Sequence, residues 1–280
     1  MKRYLQISGY IGILMVCLLT GYTQGFQPEK IYVRNIQLKE GLSQVVVTDM
    51  AQDAKGFIWI STFDGLNRFD GNYMKVFRHN PEDPRSLPSS KIHKLHAGNG
   101  RFLYLLSSDG FYIFDTRQNQ TIYPSVLKKY KLSWVLEESE SKVWFHINGK
   151  GLLRYNSLTE EVLEYFTPLI PKETDLLDIL SFGNKLFSVF SNGDVLELDD
   201  NTGKFQLFKF PIPESVFTTA TFDKYHQIIL GSISGELYQF QPTNHQFQQS
   251  PLLALNQKLV AVNSIQYDSR KNILLLSSYG

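Results

Sequence analysis

A chain of 280 residues that is 42% hydrophobic and 14% aromatic has ample apolar material for a buried core, and its 28 Lys+Arg against 27 Asp+Glu leave it near neutral. That balance lacks the basic footprint of a nucleic-acid-binding segment, and aromatic and β-branched residues run through the whole chain, which excludes disorder. A single cysteine excludes a disulfide framework and a cysteine-based zinc site.

Lys2 and Arg3 precede an apolar stretch, Ile11 to Leu19, broken only by Gly12 and Cys17, and then Thr20-Gly21-Tyr22-Thr23-Gln24-Gly25. This order of basic, apolar and small residues predicts a secretory signal peptide over residues 1–25, with Thr23 and Gly25 set for cleavage before Phe26. The apolar stretch is shorter than the ~20 residues a membrane span needs, so cleavage is favoured over the alternative of an uncleaved signal anchor. Val16 before Cys17 is bulkier than lipoprotein processing expects. The mature chain is therefore expected to be exported, near-neutral and free of thiols.

From residue 26 onward one pattern recurs. Its clearest copy is GFIWISTFDGLNRFD, Gly56 to Asp70; laid against it are Gly100 to Asp115, Ser141 to Asn156, Asn184 to Asp199, His226 to Phe240 and the partial copy Asn272 to Gly280. The aligned turn glycines Gly65, Gly110, Gly151, Gly193, Gly235 and Gly280 are spaced by 45, 41, 42, 42 and 45 residues. Each copy reads as an apolar run, a turn pair such as Asp64-Gly65, Asp109-Gly110 or Asn192-Gly193 that supplies positive φ, and a second run. A strand-like segment lies ahead of the pair and another behind it.

Four short strands in about 42 residues predict an all-β fold, a β-propeller of four-stranded blades, and unbroken apolar runs fit sheets covered on both faces by neighbouring blades. The blades are expected near 45–79, 91–123, 132–166, 176–210 and 216–249, with a partial sixth at 260–280. Residues 31–37 read as an outer strand that closes the ring. Because the sequence stops at Gly280 before a third strand of copy six, the ring is expected to be incomplete and the chain to be a fragment of a longer protein.

The candidates for chemistry are few. Trp59 and Trp144 occupy equivalent positions inside apolar runs and are expected in the core between blades, whereas Trp134, in an inner strand, is open to a role at the channel or rim. Asp53, Asp64, Asp109 and Asp194 could suggest the paired carboxylates of a glycosidase, but they recur at turn positions, where Asp shapes the backbone. His93 and His96 have no third ligand nearby, so no metal is expected, and no cofactor. His79, His146, His226 and His245 are scattered. Ligand contacts in such folds come from rim loops or the channel, so the longer connectors Asn80 to Ser90 and Pro168 to Asp175 are the first places to look. Lys91, Arg101, Lys128 and Lys129 are too dispersed to define an acidic-saccharide site.

GLSQVVVTDMAQDAKGFIWISTFDGLNRFDG, Gly41 to Gly71, resembles the first blade of the two-component regulator propellers, and Arg78 to Ile92 is similar to the connector that follows it in that family. The likeness is specific over residues 38–92 and weaker beyond, where copies two to five keep the period and turn glycine but lose the GLxRFD signature. The resemblance implies the periplasmic sensor region of a hybrid two-component histidine kinase. It also implies an oligosaccharide ligand, a homodimer formed through the parent protein, and membrane attachment through later sequence or an uncleaved anchor. No phospho-acceptor His box, ATP-binding sequence or receiver motif stands in these residues, so kinase activity is implied for the parent alone. The rival readings are a secreted propeller glycosidase or lyase and a propeller scaffold for protein partners.

Overall fold

The computed structural model describes residues 35–98, 100–107, 109–139, 141–250, 261–268 and 273–279. The predicted signal peptide 1–25, turn glycine Gly280 and most of the predicted ring-closing strand 31–37 lie outside the described residues; its last three residues, 35–37, carry no strand.

The repeat folds into five four-stranded antiparallel meanders. Blade one is β1 (Val47–Gln52), β2 (Ile58–Thr62), β3 (Gly65–Phe69) and β4 (Met74–Phe77). Blade two is β5 (Ile92–Ala97), β6 (Phe102–Ser107), β7 (Gly110–Asp115) and β8 (Gln120–Ile122). Blade three is β9 (Leu132–Ser139), β10 (Lys142–Ile147), β11 (Gly151–Tyr155) and β12 (Val162–Phe166). Blade four is β13 (Leu176–Phe182), β14 (Lys185–Phe190), β15 (Val195–Asp199) and β16 (Lys204–Phe208). Blade five is β17 (Phe217–Phe222), β18 (Ile228–Ser232), β19 (Leu237–Gln241) and β20 (Gln246–Gln249). A sixth sheet pairs β21 (Ala261–Asp268) with β22 (Ile273–Tyr279). The first strands of successive sheets stand side by side, β1 by β5 and so on to β17 by β21, which makes them the inner strands of a propeller.

The second strands show why the apolar runs are unbroken. In β6, Leu103 and Leu105 pack with Trp59 and Leu66 of blade one, while Tyr104 and Leu106 pack with Val143 and Phe145 of blade three. In β14, Leu186 faces Trp144 and Leu152, and Phe187 and Val189 face Ile228 and Leu230. Alternate side chains point to opposite faces of a strand, and both faces are buried here, so polar alternation is absent. The outcome is a separate apolar cluster at each of the five junctions between consecutive sheets, the last being Ile229 and Leu237 against Val262 and Ile265.

Trp59 and Trp144 are fully buried at equivalent places. Each indole N–H donates to a carboxylate six residues earlier, Trp59 Nε1 to Asp53 Oδ2 and Trp144 Nε1 to Glu138 Oε2, both at 2.8 Å. Burial of the ring is thereby compatible with its one donor. Asp53 also accepts from the Lys55 and Phe57 N–H groups through Oδ1, which shapes the turn between β1 and β2. Asp70, Asp115, Asn156 and Asp199 fold the turn between third and fourth strands in the same manner, each accepting backbone N–H groups two and three residues on.

In the hairpins between second and third strands, positive φ falls on the glycine of each turn pair, Gly65 at 123° and Gly151 at 146° for example, and neither Asp64 nor Asn192 shares it. A Cβ at Gly65 would sit 2.4 Å from the Phe77 carbonyl oxygen, and one at Gly151 would sit 2.1 Å from that of Tyr165. Gly110, Gly193 and Gly235 also hold positive φ.

The inner strands share one further irregularity. The pairing of each with its neighbour slips by one residue near its start, leaving Thr48, His93, Ser133, Leu177, Thr218 and Asn263 as bulges. A bulge re-aims the side chains around it.

Candidate functional site

The bulges and the residues that follow them bring polar side chains together where the inner strands meet. At the junction of blades one and two, Thr48 Oγ1 donates to the Ile92 carbonyl at 2.7 Å, and Asp49 Oδ2 accepts from the Leu95 N–H at 3.1 Å. The junction of blade five with the sixth sheet repeats this arrangement. There Thr218 Oγ1 donates to the Val262 carbonyl, and Thr219 Oγ1 accepts from the Ile265 N–H at 3.2 Å.

Between blades three and four these backbone ties are replaced by contacts among side chains. Ser133 Oγ lies 2.8 Å from His146 Nδ1, and Trp134 Nε1 donates to Asp178 Oδ1 at 3.1 Å. Lys94 stands 3.9 Å over the Trp134 ring and 3.7 Å from Asp49, so a carboxylate, an ammonium, an indole and a second carboxylate form one chain across four blades. Burial pushes the Asp178 carboxyl up to about 7, against the pull of the Ile179 N–H, Lys94 and the Trp134 indole; Asp49 adds to the rise. His96, on the same strand as Lys94, is held down to about 4 by burial, partly countered by Asp49.

Next to this chain a cavity of about 760 Å³ opens at the rim between blades three and four. It is lined by Ser133, Trp134, His146 and Phe190, by the β10–β11 hairpin and by the connector 167–175. The connector is braced by its own bonds, Thr174 Oγ1 to the Pro171 carbonyl at 3.2 Å and the Ser191 N–H to the Asp175 carbonyl at 2.8 Å. His146 is buried at 4% exposure, and burial lowers its pKa to about 4, so the ring is neutral at pH 7. Its Nε2 has no hydrogen-bond partner.

The residues singled out from sequence divide sharply. Trp134 lines the cavity, and Pro168 to Asp175 forms its wall. The connector Asn80 to Ser90 is instead folded on itself and onto the blades: Asn80 and Asp83 accept local N–H groups, Leu87 is in the core, and the Gly65 N–H donates to the Ser90 carbonyl at 2.8 Å. Asp64 pairs with Arg78 at 2.9 Å, and Asp194 accepts from the Phe210 N–H and from Asn192, so these aspartates are engaged in hairpin structure. Arg101 pairs with Asp115, Lys129 approaches Glu164 at 3.9 Å, and neither touches the cavity. His93 is exposed beside Phe63, and among the described residues no three His, Cys, Asp or Glu side chains are grouped to hold a metal ion.

Sequence reasoning missed His146 and Asp178. The signal for His146 was present: the equivalent positions in the other full blades are Ser61, Leu106, Val189 and Gly231, each paired with the residue just after its bulge. The only imidazole in a column of small or apolar residues marks a departure from the repeat.

Five four-stranded meanders arranged around shared inner strands make the chain a β-propeller. Its residues 41–64, which hold β1 and β2 of the first blade, match the two component regulator propeller family. Histidine kinase P4 of Formosa agariphila is 52% identical over 48 residues, which is 17% of this chain and 4% of that protein. Among solved structures, the extracellular domain of the hybrid two component system BT3049 from B. thetaiotaomicron superposes with a TM-score of 0.68 at 17% identity, covering 88% of this chain and 34% of that one. Virginiamycin B lyase from Staphylococcus aureus superposes at 0.60 with 14% identity, covering 83% of this chain and 84% of the lyase. The two solved structures share the fold. The chain spans a small part of the kinase and about a third of the Bacteroides domain. Among the described residues no helix is long and apolar enough to cross a membrane.

Proposed function

We propose that this chain is the periplasmic sensor segment of a hybrid two-component histidine kinase and that it binds an oligosaccharide released by polysaccharide breakdown. The observation that carries the reading is the match of residues 41–64 to the regulator propeller family, supported by a 48-residue likeness to a histidine kinase. Export by residues 1–25 places the propeller on the side of the membrane where such ligands arise. The segment acts by binding: a ligand that favours one arrangement of paired sensor regions shifts that equilibrium and so alters kinase output from the parent protein.

The test is a titration of the 280-residue chain with oligosaccharides of defined linkage, read as melting temperature together with product analysis. One linkage class is expected to raise the melting temperature with the logarithm of its concentration above the dissociation constant, with no products formed. Hydrolysis or elimination products would assign a propeller glycosidase or lyase instead, and failure of every oligosaccharide to bind would overturn the ligand class.

A further inference from the structure

We propose that the rim cavity between blades three and four is a binding site for an uncharged, hydroxyl-rich ligand, with Ser133 as its polar contact, Trp134 as its aromatic wall and His146 as the positioning residue behind Ser133. The inference rests on the sensing role and deepens it by fixing the place and the charge class of the ligand.

Four departures from the repeat coincide at this cavity. First, Ser133 is the bulge residue equivalent to Thr48 and Thr218, which bond the next inner strand, but Ser133 turns to His146 instead. Second, His146 stands where the other full blades have Ser61, Leu106, Val189 and Gly231. Third, five positions separate His146 from Gly151, where four separate Leu106 from Gly110 and Val189 from Gly193, and the longer hairpin places Asn148 and Gly149 on the cavity wall. Fourth, the connector 167–175 rises beside it. Drift in a repeat would scatter such changes over the blades. Here all four border one space of about 760 Å³, within the roughly 300–1,000 Å³ typical of small-molecule sites.

The hydrogen-bond inventory points the same way. A serine hydroxyl has one donor and two acceptor positions. Ser133 uses them on His146 Nδ1 at 2.8 Å and, more weakly, on the His146 carbonyl at 3.4 Å. In either tautomer of the ring, the exposed hydroxyl retains an acceptor position for a ligand hydroxyl. The His146 Nε2 is also buried without a partner, and such atoms are uncommon enough to need a cause. The charge balance selects against anions: Lys172 is outnumbered by Glu173 and Asp175 on the wall, and the imidazole is neutral at pH 7. An aromatic wall with polar hydroxyl and amide groups suits a sugar ring with an apolar face and a hydroxylated edge.

The experiment uses the 280-residue chain with cellobiose, laminaribiose, mannobiose and xylobiose as neutral probes and digalacturonate as the anionic one. Indole emission is read alongside the imidazole NMR resonances of His146. At least one neutral disaccharide is expected to change the emission, to lose that change in Trp134→Phe, and to shift the His146 resonances. Its affinity is expected to fall at least tenfold in Ser133→Ala and in His146→Leu, the latter a residue already accommodated at the Leu106 position, and digalacturonate is expected to bind at least tenfold more weakly. A disaccharide that raises the melting temperature but leaves His146 and Ser133→Ala unaffected would overturn this site while leaving the sensing role intact. Tighter binding of digalacturonate would overturn the charge class, and no binding by any of the five probes would overturn the proposal, the sensing role then being decided by the wider oligosaccharide titration.

Discussion

The junction of blades one and two and the junction of blades three and four are built from the same repeat and end differently at the rim. Both bury a tryptophan whose indole N–H is satisfied by a carboxylate six residues earlier, Trp59 with Asp53 and Trp144 with Glu138. At the rim, the first is closed by Thr48 and Asp49 bonding the backbone of the next inner strand, and the second is left open, with Ser133 on His146 and Trp134 on Asp178. The lesson is that blade-to-blade adhesion is an apolar property set at the middle of the sheets. The rim can then be altered with little effect on the scaffold.

If that division holds, the two tryptophans should be equivalent. Trp59→Ala and Trp144→Ala are each expected to cost about 3–5 kcal/mol in urea unfolding, the usual range for a fully buried large aromatic. A large inequality between them would show that the open rim weakens the junction beneath it.

Asp178 provides the next largest effect. Its folded pKa of about 7 lies above the value near 3.8 expected when unfolded, so the folded state holds a proton that the unfolded state has already released. That contribution is present below pH 4 and lost as the pH rises through 7, amounting to up to about 4 kcal/mol. Asp178→Asn retains the oxygen for Trp134 Nε1 and removes the titration, so the variant should match the native chain near pH 4 and exceed it in stability at pH 8.

Thr48→Val tests the closed junction on its own. The substitution keeps the shape and removes the hydroxyl that bonds Ile92, with an expected cost of about 1–2 kcal/mol by denaturant midpoint. The smallest effect has the opposite sign. His146→Leu restores an apolar residue of the kind found at Leu106 and eliminates the unpartnered Nε2, so it should stabilise by about 1 kcal/mol at pH 7. Because burial depresses the imidazole pKa from 6.5 to about 4, the native chain should lose stability as the pH falls through that window, and the leucine variant should lack that loss.

The sequence disclosed the architecture through two recurring signals, the apolar second strand and the turn glycine, because both are imposed by burial on two faces and by positive φ at the hairpin. It did not disclose the bulges. Thr48, Ser133 and Thr218 are hydroxyl residues but His93, Leu177 and Asn263 are not, since a bulge is a property of pairing and imposes no single side chain. The wall of the candidate site was visible as the long connector Pro168 to Asp175, and Trp134 as an aromatic outside the regular run. Asp178 was not, because its significance arises only when Trp134 and Lys94, 44 and 84 positions earlier in the chain, are folded beside it. The expected role for the turn pairs also needed refinement, as the glycine takes the positive φ and its Asp or Asn neighbour serves by side-chain bonding.

The bulge near the start of every inner strand also governs how such a protein can change. Each one detaches a residue from the ladder, so replacing that residue leaves the pairing register beyond it unchanged. The described inner strands thereby offer one such address per sheet, each where neighbouring inner strands meet. A lineage that must recognise new molecules can revise those addresses one at a time while inheriting the same folding problem, already solved.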